Sequence, residues 1–352
     1  MEQHAHDFLK RLLEATGPSG YEQEAASIWR EEAGTFADEV SSDVLGNSVA
    51  RLKADGGLKV IIEGHIDEIG LLISHIDEQG FLWFEPIGGW DGQVLPGQRI
   101  RIATEHGPVR GVIGRKAAHI IRRQGGDKAV KAQELWIDIG VADRAAALER
   151  VAIGDPAVID ASYMQLTDDL CVARALDNRV GAFVALEATR LLAADRPKAD
   201  VYALAAVQEE IGFAGATTAS FRIGADVAIA VDVTHSTDYP EADKKANGEV
   251  KLGAGPVLTR GASIHPVVFT GLRQTAEDLG MQCPVQAAPR SSGTDADAMI
   301  RSGPGTATGL VSIPNRYMHS PNEVVSLRDL TAAAELIAGY VRGLTSDTDF
   351  RR

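Results

Sequence analysis

Four short apolar runs in this chain each end at a histidine or a carboxylate, and this pattern constrains the fold more than any other feature. Val60-Ile-Ile-Glu-Gly64 leads into His65-Ile-Asp67, and Tyr202-Ala-Leu-Ala-Ala-Val-Gln208 into Glu209-Glu210. Val227-Ala-Ile-Ala-Val231 leads into Asp232, and Thr308-Gly-Leu-Val-Ser-Ile-Pro-Asn-Arg-Tyr-Met318 into His319. Runs that are apolar at nearly every position suit strands covered on both faces, as in a parallel sheet with helices packed on it. Ligands of open α/β sheets bind beyond the carboxyl ends of the strands, so the four polar ends are expected to converge there.

Helical periodicity supports that class. Phe8, Leu9, Leu12 and Leu13 predict a helix over 5–15, stopped by Thr16-Gly-Pro-Ser-Gly20, and further helices are expected over 22–34, 179–193 and 267–280. Between 68 and 161 the texture differs. Short β-rich runs (Ile69–Ile73, Phe81–Phe84, Arg99–Ile102, Val109–Ile113) alternate with Gly- and Pro-bearing turns, which reads as a small all-β barrel or sandwich. The 352 residues suffice for about two domains. The expected fold is an α/β domain with a mostly parallel sheet sandwiched by helices, built from 1–67 and 162–352 and interrupted by an all-β unit over 68–161.

Composition removes several functions. With 35 basic and 49 acidic residues the formal charge is −14, which repels nucleic acid and anionic membranes at long range. No run approaches the roughly 20 apolar residues of a membrane span, and the first residues carry acids rather than a secretory apolar stretch. The expected compartment is the cytoplasm. The two cysteines, Cys171 and Cys283, cannot form a thiolate zinc site by themselves, so any metal must be held mainly by nitrogen and oxygen. The stretch Arg122-Arg-Gln-Gly-Gly-Asp-Lys128 reads as a mobile charged loop.

The strand ends suggest how a metal could be held. Two divalent cations ringed by His65, Asp177, Glu210, Asp232 and His319 would have three of their four charges offset by carboxylates. One hydroxide would neutralise the remainder, an arrangement suited to hydrolysis. Glu209 is then free to act as general base, because neighbouring strand residues point to opposite faces and Glu209 and Glu210 should differ in role. Asp67 could hold the His65 ring from behind. His-Ile-Asp-Glu recurs at 75–78, but there it leads into a hairpin turn, which favours His65 as the ligand. From spacing alone Asp177 reads as a helix N-cap, worth about 1 kcal/mol. Two solvated acids remain an alternative for Glu209 and Glu210. Gly303-Pro-Gly305-Thr-Ala-Thr-Gly309 does not fit a dinucleotide fingerprint, and neither a phosphate-binding P-loop nor a G-x-S-x-G motif occurs.

The blocks Glu14-Ala-Thr-Gly-Pro-Ser-Gly20, Gly64-His-Ile-Asp-Glu-Ile-Gly70, Ala175-Leu-Asp-Asn-Arg-Val-Gly181, Val207-Gln-Glu-Glu-Ile-Gly212, Ala230-Val-Asp-Val-Thr-His235, Ser292-Gly-Thr-Asp-Ala296 and Arg316-Tyr-Met-His-Ser320 are together specific. With them the chain resembles the cytosolic dinuclear-metal aminopeptidases that assemble into hollow tetrahedral particles, a family including glutamyl, leucyl, lysyl and deblocking enzymes. The resemblance implies a zinc-peptidase-like α/β domain and a PDZ-like barrel used in dimerisation and in assembly of a tetrahedral homododecamer. It implies two metal ions per subunit, zinc or cobalt, with Asp177 bridging, His65 and Asp232 completing one site, and Glu210 and His319 the other. Glu209 would be the base and Asp67 a support for His65, acting on the amino-terminal residue of peptides. Ser292, Gly293, Thr294 and Asp295 are expected close to the substrate. Gly64 stands where a small residue such as Ala is common, a mild departure, and residues 237–249 have no assigned role. A small-molecule amidohydrolase or deacylase with the same metals is the alternative, and a polysaccharide hydrolase a more distant one.

Overall fold

A computed structural model describes residues 1–54, 57–117, 119–120 and 129–351. The 122–128 stretch lies outside them. The larger unit is built on an eight-stranded sheet, with strands numbered along the chain. Its order is β1 (Glu39–Ser42), β2 (Ser48–Leu52), β12 (Asp200–Ala206), β3 (Lys59–His65), β13 (Val227–His235), β16 (Ala307–Asn315), β14 (Val257–Gly261) and β15 (Val285–Ala288). The four central strands are the four apolar runs, and they are parallel to one another.

The sheet as a whole is mixed: its centre is parallel as expected, and antiparallel pairings join the flanks to it. β2 runs antiparallel to β12, and β14 antiparallel to β16. β1 and β2 form a hairpin, and antiparallel neighbours can be joined by so short a turn without a crossover helix. Asp43 closes that turn by accepting the N–H groups of Leu45, Gly46 and Asn47. A small second sheet joins β10 (Met164–Gln165), β11 (Leu170–Ala173) and β17 (Glu323–Ser326).

The helix Leu176–Ala194 lies against β3, β12 and β13, and its start is set by a close approach. A Cβ on Gly64 would sit 2.2 Å from the Gly181 carbonyl carbon and 2.4 Å from the Ala182 nitrogen. Glycine at position 64 is therefore a packing requirement here rather than a mild departure. The fully buried Arg179 ties the same helix to the end of the first one, Gln3–Glu14, by donating to the carbonyls of Leu12 and Ala15.

Residues between β3 and β10 form the second unit. β4 (Gly70–Ile76), β5 (Leu82–Ile87), β8 (Trp136–Asp138), β7 (Val109–Gly114), β6 (Arg99–Ile102) and β9 (Pro156–Ile159) close in that order into an antiparallel barrel. Leu71, Ile73, Leu82, Phe84, Ile100 and Ile137 belong to a core of its own, separate from that of the larger unit. The second His-Ile-Asp-Glu ends β4 in a hairpin turn, where Asp77 accepts the N–H groups of Gln79 and Phe81. Among the described residues, no helix is long and apolar enough to cross a membrane.

Candidate metal centre

The carboxyl ends of the central strands do converge. His65 is the last residue of β3 and is buried. Its Nε2 lies 3.3 Å from Asp177 Oδ1, 3.6 Å from Glu209 Oε2 and 3.9 Å from Asp232 Oδ1. His319, beyond β16, places Nε2 3.2 Å from Asp177 Oδ2 and 3.3 Å from Glu210 Oε1. One carboxylate, Asp177, thus offers a separate oxygen to each of two imidazoles.

Asp177 is not an N-cap. The regular helix that follows is capped by its neighbour Asn178, whose Oδ1 accepts the Gly181 N–H at 3.0 Å, and Asp177 itself has non-helical φ of −80° and ψ of 107°. That backbone turns its side chain into the cluster, while Glu323 Oε2 accepts its N–H at 2.9 Å. The strand argument for Glu209 and Glu210 also fails in detail, since β12 ends at Ala206 and both glutamates lie in the following turn. Gln208, at a φ of 60°, redirects the chain before them. Asp67 then fixes the turn, Oδ1 accepting the Glu209 N–H at 3.1 Å and Oδ2 the Glu210 N–H at 3.2 Å. The two carboxylates still diverge, Glu209 toward His65 and Glu210 toward His319.

Asp67 is buried and lies 3.3 Å from His65 Nδ1, with the Ser19 hydroxyl donating to it at 2.5 Å. His319 Nδ1 meets the Gly89 carbonyl at 2.9 Å. Each ring therefore has Nδ1 facing an oxygen behind it and Nε2 turned to the carboxylates.

The charges of this cluster are not balanced from within. Burial pushes the Glu209 carboxyl up to about 10, helped by Asp232, Asp295 and Glu210 and opposed by His65. Burial also raises Asp232 and Glu210. His319 is pushed up to about 11 by its hydrogen bonds to Asp177 and Glu210. Burial disfavours charge on His65, yet Glu209, Asp177 and Asp67 around it hold its pKa well above the usual value. Buried carboxylates crowded in this way call for added positive charge. The donors suit it: His65, Asp177 and Glu210, and likewise His65, Glu209 and Asp232, each bring one ligand atom within 4.8 Å of the others. Imidazole with carboxylate fits borderline divalent cations.

Sequence reasoning missed three parts of the surroundings. Glu323, fully buried, accepts the Asp177 N–H through one oxygen and the His319 N–H through the other, at 2.9 Å each. Its place four residues after His319 was the available signal. Glu63, a carboxyl directly after the apolar Val60–Ile62 of β3, faces Asp295, and burial raises both, Asp295 to about 6. The Gly89 carbonyl comes from the barrel and, as backbone, had no sequence signal. Of the four residues expected near substrate, Ser292 and Gly293 turn their N–H groups to Asp297, Thr294 touches the Ser292 hydroxyl at 2.9 Å, and Asp295 is buried beside Glu63.

The M42 glutamyl aminopeptidase family matches residues 46–336, most of the chain. The chain belongs to the M42 peptidase family. As an M42 member it is an aminopeptidase, a hydrolase of peptide bonds. It is 35% identical to the lysyl aminopeptidase of Pyrococcus furiosus over 96% of this chain and 97% of that one. Its fold is similar to the TET aminopeptidase of a marine-sediment Thaumarchaeota archaeon, with a TM-score of 0.93 and 32% identity over 97% of both chains. The TET1 peptidase of Pyrococcus horikoshii, solved as able to form a tetrahedron or a large octahedral shell, matches with a TM-score of 0.86 and 30% identity over 97% of this chain and 100% of that one. The M42 match thus bears out the resemblance read from the seven blocks.

Proposed function

We propose that this M42 peptidase removes amino-terminal residues from peptides with two divalent cations, zinc or cobalt. Asp177 would be shared between them, with His65 and Asp232 on one side and Glu210 and His319 on the other. The observation that carries this reading is the division of the two Asp177 oxygens between the two imidazoles. When bound, the cations supply charge neutralisation, acidify water and polarise a carbonyl. Glu209 takes the proton of the attacking water and returns it to the leaving amine. Asp67 keeps the His65 ring oriented by holding Nδ1.

We further propose that the closed barrel, PDZ-like in character, serves dimerisation, and that dimers assemble into a tetrahedral homododecamer in the cytoplasm. The large tetrahedral and octahedral forms of the TET1 relative support an assembly of this kind. Neither the amidohydrolase nor the polysaccharide alternative is favoured by the family match.

Metal analysis of the native-size particle, with a panel of aminoacyl amides and acylated amino acids, tests this. Two ions per subunit and cleavage of aminoacyl amides are expected. Faster cleavage of acylated amino acids, or full activity in a metal-free protein, would overturn it.

A further inference from the structure

The block Glu14–Gly20 takes no part in the chemistry proposed above, yet it is strapped to the segment that follows His65. Pro18 pairs with Glu68 in a parallel bridge, the Ser19 N–H donates to the Glu68 carbonyl at 3.2 Å, and the Glu68 N–H donates to the Gly17 carbonyl at 3.1 Å. The Ser19 hydroxyl reaches Asp67. Just beyond the block stands Glu22, a buried carboxyl.

Glu22 occupies the N-cap position of the helix Gln23–Ala33, where a side chain ordinarily accepts an N–H of its own helix. It makes no such bond. Its Oε1 instead accepts the Gly20 N–H at 2.6 Å and, 186 residues further along the chain, the Gln208 N–H at 3.2 Å. Three successive N–H groups after β12 are thereby each given a carboxylate oxygen, Gln208 by Glu22, and Glu209 and Glu210 by Asp67. Successive backbone N–H groups form a natural anion site, filled here by the protein's own carboxylates.

The carbonyl side of this turn closes within itself, since the Phe213 N–H donates to Gln208 at 3.1 Å and the Gly212 N–H to Glu209 at 3.0 Å. The N–H side depends on Glu22 and Asp67. Gln208, at a φ of 60°, is in the left-handed region that a side chain disfavours, and it directly precedes Glu209. Loss of the acceptor for its N–H frees it to relax and to carry the Glu209 carboxylate with it.

Burial, helped by Asp67, pushes the Glu22 carboxyl up to about 7, against the N–H groups of Gly20 and Gln208. A carboxyl kept at such a site works against burial, so a packing role alone would be filled better by an apolar side chain.

Resting on the reading of Glu209 as the base, we propose that Glu22 is a positioning residue for it. By holding the Gln208 N–H it keeps the turn in its left-handed form and sets the Glu209 carboxylate against the attacking water. It acts through the backbone of Gln208 and not on the reacting atoms.

The test is kcat, KM and metal content for the best-cleaved of a panel of aminoacyl coumarylamides, on the full-length particle loaded with zinc or cobalt. Glu22→Ala is expected to lower kcat about 10- to 100-fold at unchanged KM and metal content, the order of loss that a displacement of about 1 Å causes. Glu22→Gln keeps an oxygen for both N–H groups and should restore kcat to within about threefold of the wild type. In a Glu209→Gln background Glu22→Ala should cost nothing further, because the group it positions is already silent. Should Glu22→Ala fail to fold, Glu22→Asp, which keeps the charge and withdraws it by one methylene, gives the same readouts. Unchanged kcat in Glu22→Ala, an equal loss in Glu22→Gln, a loss of metal that accounts for the lower turnover, or a further loss in the double variant overturns the inference while leaving the peptidase reading intact. Full turnover by Glu209→Gln alone removes Glu209 as the base and the inference with it.

Discussion

Gly64 and Gly181 meet with no side chain between them, so β3 and the helix Leu176–Ala194 approach backbone to backbone. The contact matters because His65 follows Gly64 directly and Asp177 lies four residues before Gly181. It sets the distance between the first imidazole and the shared carboxylate.

Gly64→Ala should therefore act on stability and on the centre together. A methyl group 2.2 Å from a carbonyl carbon forces the helix away from the strand, at a cost of about 3 kcal/mol by comparison with overpacked cores. Chemical denaturation measures that loss, and metal content of the folded fraction should fall as well.

Glu209→Gln keeps shape but removes the proton acceptor. Two metals and an unchanged melting temperature are expected, with turnover lower by about 10²- to 10⁴-fold. Unaltered kcat would show that another group carries the proton.

Glu323 braces two backbones that carry proposed ligands, accepting from Asp177 and His319 at 2.9 Å each. Glu323→Ala leaves both N–H groups buried without acceptors, which costs about 1–3 kcal/mol for each. The site shared by Asp177 and His319 should empty first, so one metal per subunit instead of two is the expected result of elemental analysis. Retention of both ions would reduce Glu323 to a packing role.

Asp329 gives a pH dependence remote from the centre. It accepts the N–H groups of Gly253 and Gly255 at 2.7 and 2.8 Å, yet burial raises its carboxyl to about 6 from 3.8. Between those values the folded chain holds a proton that the unfolded chain has released, so stability falls as pH rises through the window and is level above it. Two pKa units correspond to about 3 kcal/mol. Subtracting the unfolding curve of Asp329→Asn from that of the wild type between pH 4 and 7 should reveal this slope, and parallel curves would contradict it.

The parallel centre of the sheet was legible because burial on both faces leaves a continuous apolar run, and the polar residues at the ends of those runs stand out. The antiparallel flanks were not, since the direction of β2 and β14 depends on turns and neighbours that periodicity does not encode. Asp177 shows the same division within the site. An Asp ahead of a periodic helix looks alike whether it caps the helix or faces His65 and His319, and only contacts between residues distant in sequence separate the two. Glu209 and Glu210 were placed in different roles by an argument from strand alternation that does not apply, because Gln208 and Asp67 turn the chain there instead.

The Gly89 carbonyl on the His319 ring, and the Trp90 indole donating to Gly70 at 2.9 Å, join the barrel to the centre through its 88–90 loop. Gly89 also lacks room for a Cβ, which would come within 3.0 Å of His319 Nδ1. A chimera that exchanges barrels between relatives would thus transplant part of the support of His319 along with the proposed assembly surface. Grafting is expected to preserve the centre only where the 88–90 loop stays with the host, which makes those three residues the natural seam for exchanging the barrel while keeping the support of His319.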